Sequence, residues 1–151
     1  MFSPLDFKEY EQVASNSGAF KGVEIDLMLE ILKDWQQAPG KSYTLLELRD
    51  GKTLVAFAII HKVAGRNFTF DIRFVVLDSD YRSTNAIQHL FEMIDQELLK
   101  KMPFAVIRFE LSSDKRDSLG ENTLENSGYC QIGHIAEFFG ANDDFFFYIK
   151  A

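Results

Sequence analysis

The apolar positions along the chain change period several times, and each change marks an element. Ile25, Met28, Leu29, Leu32 and Trp35 fall on one stripe at helical spacing, which predicts an amphipathic helix over residues 23–36, ended by Pro39-Gly40. Residues 42–63 read as two β-rich runs joined through Asp50-Gly51, a hairpin signal. The second run, Leu54 to Ile60, is apolar at every position and is expected to be a central strand buried on both faces. After a turn at Ala64-Gly65-Arg66-Asn67 the pattern alternates. Phe68, Phe70, Ile72, Phe74 and Val76 are expected on one buried face, with Thr69, Asp71 and Arg73 on the other.

The helical period returns over 85–101, carried by Ile87, Leu90, Phe91, Ile94 and Leu98, and Pro103 follows. Residues 104–113 read as a further strand and 117–127 as a short polar helix or loop. Cys130–Ile135 and Phe145–Ile149 read as a closing hairpin. A strand–helix–strand unit in the middle implies one parallel pair inside a mixed sheet. The expected fold is therefore α/β in the α+β sense, a mostly antiparallel sheet with flanking helices.

Composition narrows the setting. The 151 residues suit one domain spanning 1–151, with 46% hydrophobic residues to fill one core. No repeat, low-complexity tract or linker divides the chain. A formal charge of −7 repels phosphate backbones at long range, so nucleic acid is not an expected partner. No apolar run approaches the roughly 20 residues that cross a bilayer, and the first residues lack a signal-peptide pattern. The expected compartment is the cytoplasm. The one cysteine, Cys130, excludes an internal disulfide and reads as a small half-buried apolar residue.

The familiar catalytic and phosphate-loop motifs are absent, and His61, His89 and His134 lack metal-ligand spacing, so no metal is expected. The informative stretch is 75–91, where a buried strand ends, turns through polar residues and starts a helix. Free N–H groups and the helix dipole make such a start an anion site, and Arg82 adds a fixed charge. The alternative is plain capping, with Asn85 as N-cap and Gln88 as its reciprocal partner.

From Phe20 onward these pieces resemble the GNAT superfamily of acyl-CoA-dependent N-acetyltransferases. Residues 69–78 (TFDIRFVVLD) are similar to the family's signature strand and 82–91 (RSTNAIQHLF) to its coenzyme loop. Glu110-Leu111-Ser112-Ser113 resembles the ETSS of one bacterial branch, and 123–129 and 137–144 its closing segments. The resemblance implies a sheet that splays at its parallel pair, with the pantetheine arm of acetyl-CoA along Val75, Val76 and Leu77. It implies a pyrophosphate held by Arg82, Ser83, Thr84, Asn85, Ala86 and Ile87. The implied reaction is acetyl transfer to a small-molecule or peptide amine, with a carboxylate as base. Glu110 is the first candidate and Glu137 the second, and a homodimer is left open. Where the family has glycines this chain has Ser83, Asn85 and Ile87, and Leu124 replaces the tyrosine that protonates the departing thiolate. A non-catalytic binding or regulatory module is the rival reading.

Overall fold

The computed structural model describes residues 6–99 and 104–151; the end of the helix expected to reach residue 101, and Pro103, lie outside the described residues. Two helices come first, α1 (Phe7–Ser17) and α2 (Gly22–Gln37), followed by strands β1 (Tyr43–Asp50), β2 (Thr53–Lys62) and β3 (Thr69–Leu77). Helix α3 (Ala86–Leu98), strand β4 (Val106–Ser112), the short helices α4 (Ser113–Ser118) and α5 (Thr123–Asn126), and strands β5 (Cys130–Gly140) and β6 (Asp143–Lys150) complete the chain. The strands form one sheet in the order β1-β2-β3-β4-β6-β5, antiparallel throughout except for the pair β3–β4.

Each element follows from its sequence with few exceptions. The Asp50-Gly51 signal becomes a two-residue turn, with Asp50 opposite Thr53 and Gly51 at φ 61°. Strand β2 is buried on both faces, as its unbroken apolar run requires. One face packs against α1 and α2 through Leu54, Phe57 and Ile59, and the other against α3 through Val55, Ala58 and Ile60. The expected polar helix at 117–127 is two short helices, α4 starting earlier at Ser113, and the closing strands run further, to Gly140 and from Asp143 to Lys150.

Helix α1 has no counterpart in the sequence reading. Asp6 caps it by accepting from the Lys8 N–H at 3.1 Å, and Gly18 ends it in the left-handed region at φ 73°. It buries Tyr10, Val13, Ala14 and Ser17, spaced i, i+3, i+4 and i+7. Tyr10 packs edge-on against Phe57, with ring centroids 5.0 Å apart, and its hydroxyl donates to Glu47. Burying a side chain of this size contributes about 1.5–3 kcal/mol.

The alternation expected along β3 is corrected by a β-bulge. Ile59 faces Phe74 and Ile60 faces Ile72, so Arg73 has no cross-strand partner on β2. The extra residue flips the phase of the strand. Phe70 and Ile72 join the α3-side core, whereas Phe74 and Val76 join the α1–α2 side. Beyond the bulge both faces are covered, and Phe68, expected inside, is 44% exposed. Cys130 is also corrected: it is exposed, because β5 is the edge strand and carries little cover on either face.

Candidate active site

The parallel pairing of β3 with β4 runs only from Thr69–Val106 to Ile72–Phe109. Past that point the strands share no ladder, and β4 continues on its other edge with β6 as far as Ser112–Phe145. The sheet therefore opens between β3 and β4 at the bulge. Asp78 N–H donates to Val55 O at 2.9 Å, which fixes the hydrogen-bonding phase of β3 against β2. With alternate residues facing alternate edges, the backbone groups of Val76 turn toward β2 and those of Val75 and Leu77 toward the opening.

After β3 the chain makes a 3-10 turn at Ser79–Tyr81, capped by Asp78, which accepts from the Asp80 N–H at 3.0 Å. Residues 82–85 then lead into α3. Asn85 occupies the N-cap position but makes no side-chain capping bond, so the expected Asn85–Gln88 capping pair does not form. Thr84 does that work: its hydroxyl donates to Tyr81 O at 2.6 Å and accepts from the Ala86 N–H at 3.2 Å. The N–H groups of Arg82 and Thr84 are likewise taken within the loop, by Ser79 O and Tyr81 O. Arg82 is anchored from an unexpected direction. Its Nη2 donates to Ser17 O, the C-terminal end of α1, at 2.6 Å, and beside it Asn16 donates to Asp78 at 3.1 Å. Ile87 is buried in the α3-side core at 5% exposure, as are Ala86 and Leu124.

Glu110 stands where β4 leaves β3. Its neighbour Arg108 forms a bidentate pair with Asp71, its cross-strand partner, at 2.6 and 2.9 Å. That hydrogen-bonded pairing holds the Arg108 guanidinium above its ordinary pKa, with the Glu110 charge contributing. Glu110 itself has no hydrogen bond or ion pair among the described residues, and it is exposed. Arg73, the bulge residue, is exposed and unpaired in the same sense. The two line a cleft of about 330 Å³ together with Asp71, Ile72 and Arg108.

Both also line a second cleft of about 440 Å³, whose walls include Phe20, Phe74, Phe139 and Phe145. There Lys115 Nζ lies 2.5 Å from the Glu24 carboxylate. Burial raises the Glu24 pKa, but the Lys115 hydrogen bond, the Lys21 N–H and the charges of both lysines outweigh it and leave the group below its ordinary value. Glu137 lies elsewhere, on the irregular stretch of β5 at φ 54°, its N–H donating to Asp144 at 2.9 Å, and it lines neither cleft. Sequence reasoning missed Arg73 and the aromatic wall. The one available signal was a lone arginine inside the apolar run Ile72–Leu77.

No protein-family model matches the chain, and no curated protein matches it in sequence. Solved structures match in fold. A protein of Desulfovibrio desulfuricans described as an acetyltransferase of the GNAT family superposes with a TM-score of 0.84 at 15% identity, over 99% of this chain and 94% of its own. The ribosomal-protein-S18-alanine N-acetyltransferase of Escherichia coli gives 0.73 at 18% identity, over 99% and 89%. An aminoglycoside 6'-N-acetyltransferase complexed with coenzyme A gives 0.71 at 12% identity, over 99% and 96%. The chain thus has the fold of the GNAT acetyltransferases. No helix among the described residues is long and apolar enough to cross a membrane.

Proposed function

We propose that this chain is a GNAT acetyltransferase, one domain over residues 1–151, that carries an acetyl group from acetyl-CoA to an amine. The observation that carries the reading is the Glu110 carboxylate, exposed and without a hydrogen bond or ion pair among the described residues, beside the opening between β3 and β4. The residues present fit a coenzyme in two respects. Val75 and Leu77 turn backbone groups to the opening, and Val76 fixes that edge against β2. At the start of α3, a 13-residue helix, the N–H groups of Ser83, Asn85 and Ile87 have no partner among the described residues. Such groups, with the helix dipole behind them, suit a phosphate. Thr84 and Ala86 shape the loop, and Arg82 supplies charge at its base.

In this reading Glu110 takes a proton from the acceptor ammonium, directly or through water, and passes it to solvent. The freed amine nitrogen forms the N–C bond, a second proton leaves that nitrogen for water, the C–S bond breaks, and the thiolate leaves. Leu124 is 2% exposed and offers no proton, and the Tyr129 hydroxyl is buried without a hydrogen bond, so water protonates the thiolate. Burial raises the Tyr129 pKa, with the Asp95 charge adding to it, so that hydroxyl stays protonated. Glu110 is preferred to Glu137 as base because Glu110 lines both clefts at the β3–β4 opening and Glu137 lines neither. The exposed, unpaired Cys130 is consistent with a reducing cytoplasm.

A second reading, a coenzyme-binding module without transfer, is favoured by Ile87 and Leu124, both buried core residues in place of the family's glycine and tyrosine. Calorimetric titration with acetyl-CoA and CoA, followed by thiol release over an amine panel, separates the two. Binding with thiol release supports the enzyme; binding without it supports the module. Absence of binding to either species refutes both.

A further inference from the structure

The two charged side chains that line both clefts have opposite signs and leave each other unpaired. Arg73 is set there by the bulge, which takes it out of the alternation of β3, and Glu110 by the end of the β3–β4 ladder. Two residues back on the same strands, Asp71 and Arg108 close into a bidentate pair. The unpaired charges are therefore not short of partner types; the opening keeps them apart. The Lys115–Glu24 pair is neutralised internally, and Asp143 is occupied by accepting from the Ser113 N–H at 3.2 Å. Lys21 and Asp114 are exposed wall residues of opposite sign. Around them stand four phenylalanines, of which Phe139 is 53% exposed.

We propose that the acceptor is a free α-amino acid with an apolar or aromatic side chain, its ammonium at Glu110, its carboxylate at Arg73 and its side chain on the Phe139–Phe145 wall. This rests on the acetyltransferase reading and names its substrate class. The bidentate guanidinium suits a carboxylate, and an aromatic side chain packs well against exposed rings. A cleft of about 440 Å³ suits a ligand of one residue. A simple arylalkylamine leaves Arg73 without a counter-charge, and so does the N-terminal residue of a peptide, whose carboxyl is an amide. The transfer consumes the amino acid and acetyl-CoA and yields the N-acetyl amino acid, CoA and one proton. Glu110 passes that proton on.

The test is calorimetric binding of L-phenylalanine, phenylethylamine, L-phenylalaninamide and 3-phenylpropanoate to the full chain, alone and saturated with CoA. Product formation from the first three is measured in parallel. L-phenylalanine is expected to bind at least tenfold more tightly than the three analogues. Arg73→Met should abolish its advantage over phenylethylamine, Arg73→Lys should restore part of it, and Glu110→Gln should abolish its advantage over 3-phenylpropanoate. Circular dichroism checks that each variant is folded. No heat with L-phenylalanine in either state, or equal binding of phenylethylamine, overturns the inference. Acetylation of phenylethylamine or phenylalaninamide as efficient as that of L-phenylalanine overturns it too, yet leaves the acetyltransferase standing. The expected binding pattern without product upholds the amino-acid site and removes the enzyme.

Discussion

Strands β3 and β4 carry two pairs of opposite charges, and the pairs behave differently. Over Thr69–Ile72 a continuous ladder holds the strands together, and Asp71 and Arg108, directly opposite, close into a bidentate pair. One step further the ladder stops, and Arg73 and Glu110 face a cleft with no hydrogen bond or ion pair among the described residues. Each pair is one arginine and one carboxylate; the first lies within the β3–β4 ladder and the second beyond its end. A sheet neutralises the charges it brings into register and leaves available those beyond the register. The paired half is accordingly expected to answer to substitution in stability, and the open half in binding and rate.

The largest effect is expected in the open half. Glu110→Gln should lower turnover by about 10²–10⁴-fold, the usual worth of general-base assistance, with the melting temperature little changed. Steady-state kinetics beside a thermal melt checks this, and a melt that falls together with the rate would erase the distinction between the halves. In the paired half, Ile72→Ala removes a buried side chain at the last paired position. It should cost about 2–5 kcal/mol in denaturant unfolding.

Arg82→Ala should weaken CoA binding by up to about 1.5–3 kcal/mol, the worth of a charge-assisted hydrogen bond. Because the same guanidinium holds Ser17 O, α1 should lose stability alongside, visible as faster amide exchange at its C-terminal end. Unchanged affinity in Arg82→Ala would leave the guanidinium a purely structural tie.

The smallest effect concerns pH. Glu24 sits below its ordinary value, so its stabilising contribution is present above about pH 4.5 and disappears as pH falls through the lower folded value. Lys115→Met should therefore lower stability near neutrality by under about 1 kcal/mol and flatten the acid limb of a melting-temperature profile. Parallel profiles for the two proteins would remove the pair from the account.

Much of this was legible in the sequence, and the failures have physical causes. The order of the later elements, the hairpin at Asp50-Gly51 and the parallel pair follow from period and turn chemistry. Helix α1 escaped notice because Tyr10, Ala14 and Ser17, three of its four buried residues, are polar or small and give a weak stripe. Its Asp6 and Gly18 caps were present in the sequence all the same. The bulge escaped because Phe74, Val75, Val76 and Leu77 are all apolar, and a run without polar positions cannot report a change of phase. Glu110 was found because it stands on the polar side of the alternation of β4, near the strand's end. Its freedom could not be read from sequence, since Arg108 lies two residues away and only the register shows that Asp71 takes it. Cys130 was misjudged because local composition does not tell an edge strand from a covered one.

The extra residue in β3 also bears on how this gene could change. Deleting Arg73 alone would remove the bulge and leave Ile72 opposite Ile60 and Phe74 opposite Ile59 in one regular ladder, with every later side chain keeping its face of the sheet. A substitution at the same position leaves the phase intact and alters only what projects into the cleft. Position 73 can therefore change in letter, or be lost, without turning the strand over, which makes it a place where ligand preference can drift while the faces of the sheet stay fixed.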